Sequence, residues 1–275
     1  MRTGRAAALA GVIAVATAVW ASSASAATLI GDYQLQGTKE SSGPGSSLGG
    51  LNDIGTFQTE NVMGTTRQVL AFAQGTGLRT APATMPSTNS VVMTFRLLDD
   101  TGYNRILDWS AGTDDNGIYD HNRKASYYRP GLGQAVDSPG AVFGSNSYST
   151  LAVTMSPGAS PLTRAFVNGA QVLQSPHSEP PIGGYLTFFV DNTSGGTTGE
   201  ESAGAVSCIR IYSGILTDAE IAAIGASPDC IAHPASVQPP GGQTAAKKCK
   251  KHRKKHKRSA ESAKKKCKKH KKKKR

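Results

Sequence analysis

Two acidic stretches hold the residues of this chain whose types and spacing could do chemistry. The first, "RILDWSAGTDDNGIYDHN" at residues 105–122, gathers Asp108, Asp114, Asp115 and Asp120 with His121. Carboxylates this close in sequence can ligate a cation, or act as an acid and a base, if the fold aims them at one point. The spacing favours a turn instead. Asp114-Asp115-Asn116-Gly117 tolerates positive φ at low cost, and its side chains accept nearby backbone N–H bonds. This stretch is therefore expected to reverse the chain rather than to ligate, and His121, with no second histidine at ligand spacing, to lie at the surface.

The second stretch, "FFVDNTSGGTTGEESAG" at residues 188–204, is the better metal candidate. Calcium takes six to eight oxygens from carboxylates, amide carbonyls and backbone. Asp191, Asn192, Glu200 and Glu201 could converge on one calcium ion if the glycine-rich loop folds back between two strands. A solvated loop whose acids serve solubility is the alternative. Asn192-Thr193-Ser194 also matches a glycosylation acceptor.

Catalytic pairs are harder to build. Asp99-Asp100, Asp114-Asp115 and Glu200-Glu201 are adjacent residues, and neighbours on a strand point to opposite faces, so no such pair aims two carboxylates into one cleft. "GSSLG" at 45–49 matches G-x-S-x-G, but the nucleophile elbow needs a strand before it and a helix after it; "SSGPGSSLGGLND" offers neither. His177 and His233 each adjoin proline, with no nucleophile to serve.

The elements around these residues read as short strands. "SVVMTFRLL" (90–98) is β-branched and aromatic, and "DDTGYN" separates it from "RILDWS", which predicts a hairpin. "IYDHNRKASYYR", "STLAVTM", "TRAFVNGAQVL" with a turn at Asn168-Gly169, "GGYLTFFVD" and "AGAVSCIRIYSG" continue the pattern. Eight or more strands with frequent turns predict an all-β, two-sheet sandwich. One helix is expected at "LTDAEIAAIG": Thr217 as N-cap, Glu220 completing a capping box, Gly225 as the stop.

The ends differ from this body. Arg2 and Arg5, the apolar run Ala6–Trp20 and Ala24-Ser25-Ala26 predict a signal peptide over 1–26, too short to span a bilayer, and hence a secreted, extracellular protein. Residues 28–246 carry 10 Lys+Arg against 18 Asp+Glu, whereas 247–275 carry 19 against one, so the net +12 describes neither part. A domain at 27–226 is therefore expected to be followed by a linker over 227–246, plainest in the Pro/Gly run from 234, and a disordered basic tail at 247–275.

"GYNRILDWSAGTDDNGIYDHN", "RAFVNGAQV", "LTFFVDN" and "ESAGAVSCIRIYSGILTDAEI", in this order, resemble a laminin-G-like domain of the concanavalin A-like lectin/glucanase superfamily over roughly residues 28–226. The resemblance implies a jelly roll of two antiparallel sheets, binding glycans or proteins, in some members with calcium at one rim. The glucanase branch carries E-x-D-x-E, which does not occur here. The expectation is thus a non-enzymatic module for a glycan or an extracellular protein, with a glycan-active hydrolase of degenerate acidic site as the alternative. Trp109, Tyr127 and Tyr128, with Tyr103, are candidate sugar-stacking faces as well as candidate core residues.

Four cysteines in an exported chain permit disulfides. Cys208 in the closing strand and Cys230 after the helix are expected to pair, two buried thiols being the alternative. In the tail, "KKCKKH" at 247–252 returns at 265–270; a continuous helix would hold Cys249 and Cys267 about 27 Å apart, far beyond disulfide reach. Cys249-x-x-His252 and Cys267-x-x-His270 have zinc-like spacing, but the lysines around them oppose a dication. The tail has no aromatic residue to stack on bases, so specific nucleic acid is not the expected partner. Lys247, Lys248, Lys250 and Lys251 instead begin a polycation suited to an anionic envelope polymer or lipid surface.

Overall fold

The computed structural model describes residues 26–53, 55–81, 85–191 and 199–233. In chain order its strands are β1 (Thr28–Tyr33), β2 (Gly49–Leu51), β3 (Thr56–Val62), β4 (Thr65–Phe72), β5 (Gly77–Arg79), β6 (Asn89–Leu97), β7 (Tyr103–Asp108) and β8 (Gly117–His121). They continue with β9 (Lys124–Tyr128), β10 (Val136–Asp137), β11 (Ser149–Ser156), β12 (Leu162–Val167), β13 (Ala170–Ser175), β14 (Thr187–Phe188) and β15 (Gly204–Ser213), and the helix α1 (Asp218–Ile224) closes the body. The first sheet runs β13-β12-β11-β6-β15-β4-β3, with β1 also on β15; the second runs β10-β9-β8-β7-β14-β5-β2. All pairings are antiparallel. This is the all-β two-sheet sandwich that the strand pattern predicts, and the jelly roll that the resemblance implies. Among the described residues no helix is long and apolar enough to cross a membrane.

Strand alternation builds the core. Val91, Met93 and Phe95 of β6, Leu151, Val153 and Met155 of β11, and Ile209 and Ile211 of β15 meet Ile106, Leu107, Ile118, Tyr127 and Phe188 of the second sheet in one buried cluster. The outer face of the first sheet carries α1, where Ile221 and Ile224 cover Val92, Ala152 and Phe166. Thr217 and Glu220 form the capping box. The Asn168-Gly169 turn has φ 51° and 85°, and a Cβ on Gly169 would stand 3.0 Å from Gly225 Cα; only glycine lets this hairpin approach the helix end. Cys208 and Cys230 are bonded, as expected.

Three expectations are corrected. β6 and β7 form no hairpin: they lie in different sheets, and "DDTGYN" is the corner where the chain crosses between them, held by Asn104 Nδ2 donating to the carbonyls of Asp99 and Thr101. "GGYLTFFVD" yields only the two-residue β14, because Phe189 turns to φ 65° and stacks on Phe72 at 4.5 Å. The linker does not start at 227. Ser227 N–H donates to Thr150 Oγ1, Thr94 and Thr150 hydroxyls donate to Ser227 O, and Cys230 is tied to β15, so residues 227–231 belong to the body. The signal peptide and the basic tail lie outside the described residues.

Candidate functional site

Cross-strand register decides which side chains of β7–β10 face away from the core. Tyr103 lies opposite His121 and Arg105 opposite Tyr119; Tyr119 lies opposite Ser126, and Asp137 opposite Ser126 on its other side. Opposed residues share a face, so Tyr103, Arg105, Tyr119, His121, Tyr128 and Asp137 all project outward. A bulge between Arg105 and Leu107 keeps both Ile106 and Leu107 in the core while aiming Arg105 out.

Two loops fold over this face. Asp115 comes from the β7–β8 turn, and residue 200 runs beside β7, where Arg105 N–H donates to Glu200 O at 2.8 Å. Arg105 itself is fully buried. Its Nη1 donates to Asp108 Oδ2 at 2.6 Å, and Nη2 donates to Asp115 Oδ1 at 2.9 Å and Asp191 Oδ1 at 2.7 Å; its guanidinium covers the Tyr119 ring at 4.4 Å. Asp108 also accepts from Ser110 N–H and Oγ–H, Gly112 N–H and Thr187 Oγ1–H. Such saturation is what a buried carboxylate requires.

Above this ion cluster opens a cleft of about 500 Å³, lined by Tyr103, Tyr119 and Tyr128 and by Asp115, Asp137 and Glu200. One carboxylate oxygen from each of Asp115, Asp191 and Glu200 lies within 4.8 Å of the other two. Burial pushes the Glu200 carboxyl above its ordinary value, with the charges of Asp191 and Asp115 adding to the shift. His121 stacks on Tyr103 at 3.8 Å and is hydrogen-bonded to Asp137 at 3.0 Å, which fixes one wall.

The predicted site residues separate as follows. Asp191 and Glu200 do meet, but Glu201 turns away: its Oε1 accepts from Asp191 N–H at 3.1 Å. Asn192 lies outside the described residues. Asp115, expected only to turn the chain, joins the cluster. The adjacent acidic pairs lie in turns and loops rather than on strands, and carboxylates meet because one member of each of two pairs joins Asp191. Trp109 and Tyr127 are corrected as sugar-stacking residues: both are fully buried and stack on each other at 5.8 Å in the core. Tyr128, next in sequence, faces the cleft. For calcium the three described carboxylates supply hard oxygens of the right kind but only part of a six- to eightfold set, and Arg105 already holds two of the residues. Arg105, Tyr119 and Asp137 were not singled out from sequence. Their signal is the i, i+2 recurrence of aromatic and charged residues in Tyr103, Arg105 and Tyr119, His121.

The family model described as concanavalin A-like lectin/glucanases superfamily matches residues 73–222, more than half of the 275-residue chain. The chain belongs to that superfamily. No curated protein matches its sequence. Among solved structures, domain 4 of AbnA, a GH43 extracellular arabinanase from Geobacillus stearothermophilus in complex with arabinotriose, aligns with TM-score 0.50 at 15% identity, over 72% of this chain and 98% of that one. A structure of botulinum neurotoxin type C, whose cell entry depends on interaction with two ganglioside molecules, aligns with TM-score 0.50 at 12% identity, over 71% of this chain and 50% of that one. The Ruminococcus gnavus IT-sialidase CBM40, bound to sialyllactose, aligns at 16% identity with TM-score 0.46, over 57% of this chain and 96% of that one. At these identities the likeness is one of fold.

Proposed function

We propose that this chain is an exported, non-enzymatic binding module that takes a glycan in the cleft over β7–β10 and is held to an anionic surface by its lysine-rich tail. The observation that carries the first half is the cleft itself: tyrosine rings beside carboxylates that accept hydroxyl hydrogen bonds, on a fold shared with an arabinanase domain solved with arabinotriose. Tyrosine offers a rigid apolar face with a polar tip, which suits sugar rings. An extracellular protein is the other class of ligand that the fold accommodates. A glycan array probed with the full chain is expected to show retention that Tyr128→Ala reduces at least about tenfold, since a stacking ring is worth roughly 1.5 kcal/mol. Running the array with and without a chelator tests whether calcium takes part. Unchanged retention by Tyr128→Ala would place the site elsewhere.

The second half rests on the +18 net charge of residues 247–275 (19 Lys+Arg less one Glu). Such a segment adheres to polyanions without sequence recognition, and with strong salt dependence. Truncation after Ala246 is expected to move the protein from the cell-associated fraction to the medium; a truncated chain that stays attached rules out the tether.

The hydrolase reading is supported by one observation. Carboxyl groups about 5 Å apart, one of them with a raised pKa, are what a retaining glycosidase uses, and Glu200 with Asp115 or Asp191 approaches that arrangement. Release of reducing ends from a retained glycan, abolished by Glu200→Gln, would establish it. Against it, Asp115 and Asp191 are engaged by Arg105, which lowers their nucleophilicity.

A further inference from the structure

We infer that the cleft selects sugars carrying a protonated primary amine, an unacetylated hexosamine oligomer, over their neutral and acidic counterparts. This deepens the glycan-binding reading above and rests on it.

Charge is the first ground. Among the described residues no Lys or Arg lines the cleft, while Asp115, Asp137 and Glu200 do. Asp137 is partly offset by Lys124 at 3.9 Å and is hydrogen-bonded to His121 at 3.0 Å. The floor is offset less: among the described residues Arg105 is the cation shared by Asp108, Asp115 and Asp191, with Glu200 beside them, four carboxyl groups to one guanidinium. Field lines focus in a cleft with low-dielectric walls, so an acidic sugar is repelled and a cationic one drawn in. A monocation also suits the floor better than calcium does, because Arg105 already neutralises one charge and holds two of the carboxylates.

The second ground is independent of the acids. Tyr119 lines the cleft with 1% of its surface exposed, and among the described residues its hydroxyl has no hydrogen-bond partner. A buried hydroxyl without a partner costs about 1–3 kcal/mol, which a ligand N–H or O–H reaching it would recover. One face of Tyr119 is taken by Arg105 and one face of Tyr103 by His121, which leaves the Tyr128 ring at the rim to meet a sugar face or an ammonium. A lysine side chain would supply the charge alone. An amino sugar supplies the ammonium together with hydroxyls for the other acceptors that line the cleft.

The test is calorimetric titration of the full chain with a glucosamine oligomer and with its N-acetylated counterpart, at about pH 6, where an aliphatic amine is protonated, in chelator and about 0.15 M salt. The amine form is expected to bind at least about tenfold more tightly, and Glu200→Gln to cut that preference to about threefold or less, as one partly buried charge pair is worth on the order of 1 kcal/mol. Equal affinity for the two sugars overturns the inference while leaving glycan binding intact, as does a preference that Glu200→Gln leaves unchanged. A lysine-bearing peptide that binds as tightly as the amino sugar overturns the assignment to a sugar, and binding that appears only when the chelator is replaced by calcium assigns the charge to a metal instead. Failure of both sugars here, together with every glycan on the array, removes the parent reading as well.

Discussion

Replacing Arg105 by methionine is expected to lower the free energy of unfolding by about 3–5 kcal/mol, the largest effect of any single change outside the hydrophobic core. Methionine keeps most of the side-chain volume, so the loss is one of charge rather than of packing. Asp108 and Asp191, 0% and 2% exposed on their side chains, would each lose their ion partner, and Asp115, at 43% exposure, would turn to solvent. A buried carboxylate without its cation must be neutralised or solvated, and either demands local opening. Denaturant unfolding monitors the change as a fall in midpoint at constant slope. Asp191→Asn in the Arg105→Met background should recover part of the loss, because the two changes act on one interaction and are not additive. Arg164→Met provides the contrast: its partner Asp218 is 65% exposed, and this change is expected to cost less than about 1 kcal/mol. Equal losses for Arg105 and Arg164 would show that burial of the network carries no weight.

This network also marks the boundary of what the residue order reveals. The helix from Asp218 was legible because its signals are local: Thr217, Glu220 and Gly225 act within eight residues of one another. The Asn168-Gly169 turn is local in the same sense, whereas the Cys208–Cys230 bond spans 22 residues. The phase of an alternating strand is not. Tyr127 and Tyr128 are the same residue type side by side, and only the register of β9 against β8 and β10 sends the first into the core and the second into the cleft. The bulge at Arg105–Leu107 shifts that phase within a single strand. The crossing at "DDTGYN" shows the same limit, since a turn-forming sequence reverses a chain within one sheet or carries it to the other, depending on the partners waiting for each strand. Nor does sequence spacing place Asp115 beside Asp191 and Glu200, which are 76 and 85 residues further on. The alternation argument for adjacent acids does not reach these pairs, because all three lie in loops rather than on strands. What brings three carboxylates together is the folding of two distant loops over one sheet face, and no local pattern records it.

Stability is expected to fall by about 4 kcal/mol at most as pH rises from about 4 to about 7, and then to level off, through a single carboxyl. Asp120 is 3% exposed on β8. Burial pushes its carboxyl up to about 7; the N–H of Arg123, donating to its Oδ1 at 2.6 Å, opposes the shift, and the negative charges of Asp100 and Asp99 at the sheet-to-sheet corner add to it. Because the folded chain holds this proton more tightly than the unfolded chain, whose carboxyl titrates near 3.8, the stabilisation is complete below about pH 4 and is lost as pH climbs through the folded value. Asp120→Asn keeps an oxygen to accept from Arg123 and carries no charge at any pH. It should therefore leave the melting temperature near pH 4 almost unchanged and raise it at pH 8, flattening the slope between them. Glu60 titrates in a separate window: hydrogen bonding from Arg96 holds it down to about 2, so its contribution is lost only as pH falls below its ordinary value of 4.5. A slope between pH 4 and 8 that survives Asp120→Asn would mean that the charge on Asp120 is tolerated in the folded chain, with the corner at residues 99–102 opening to hydrate it.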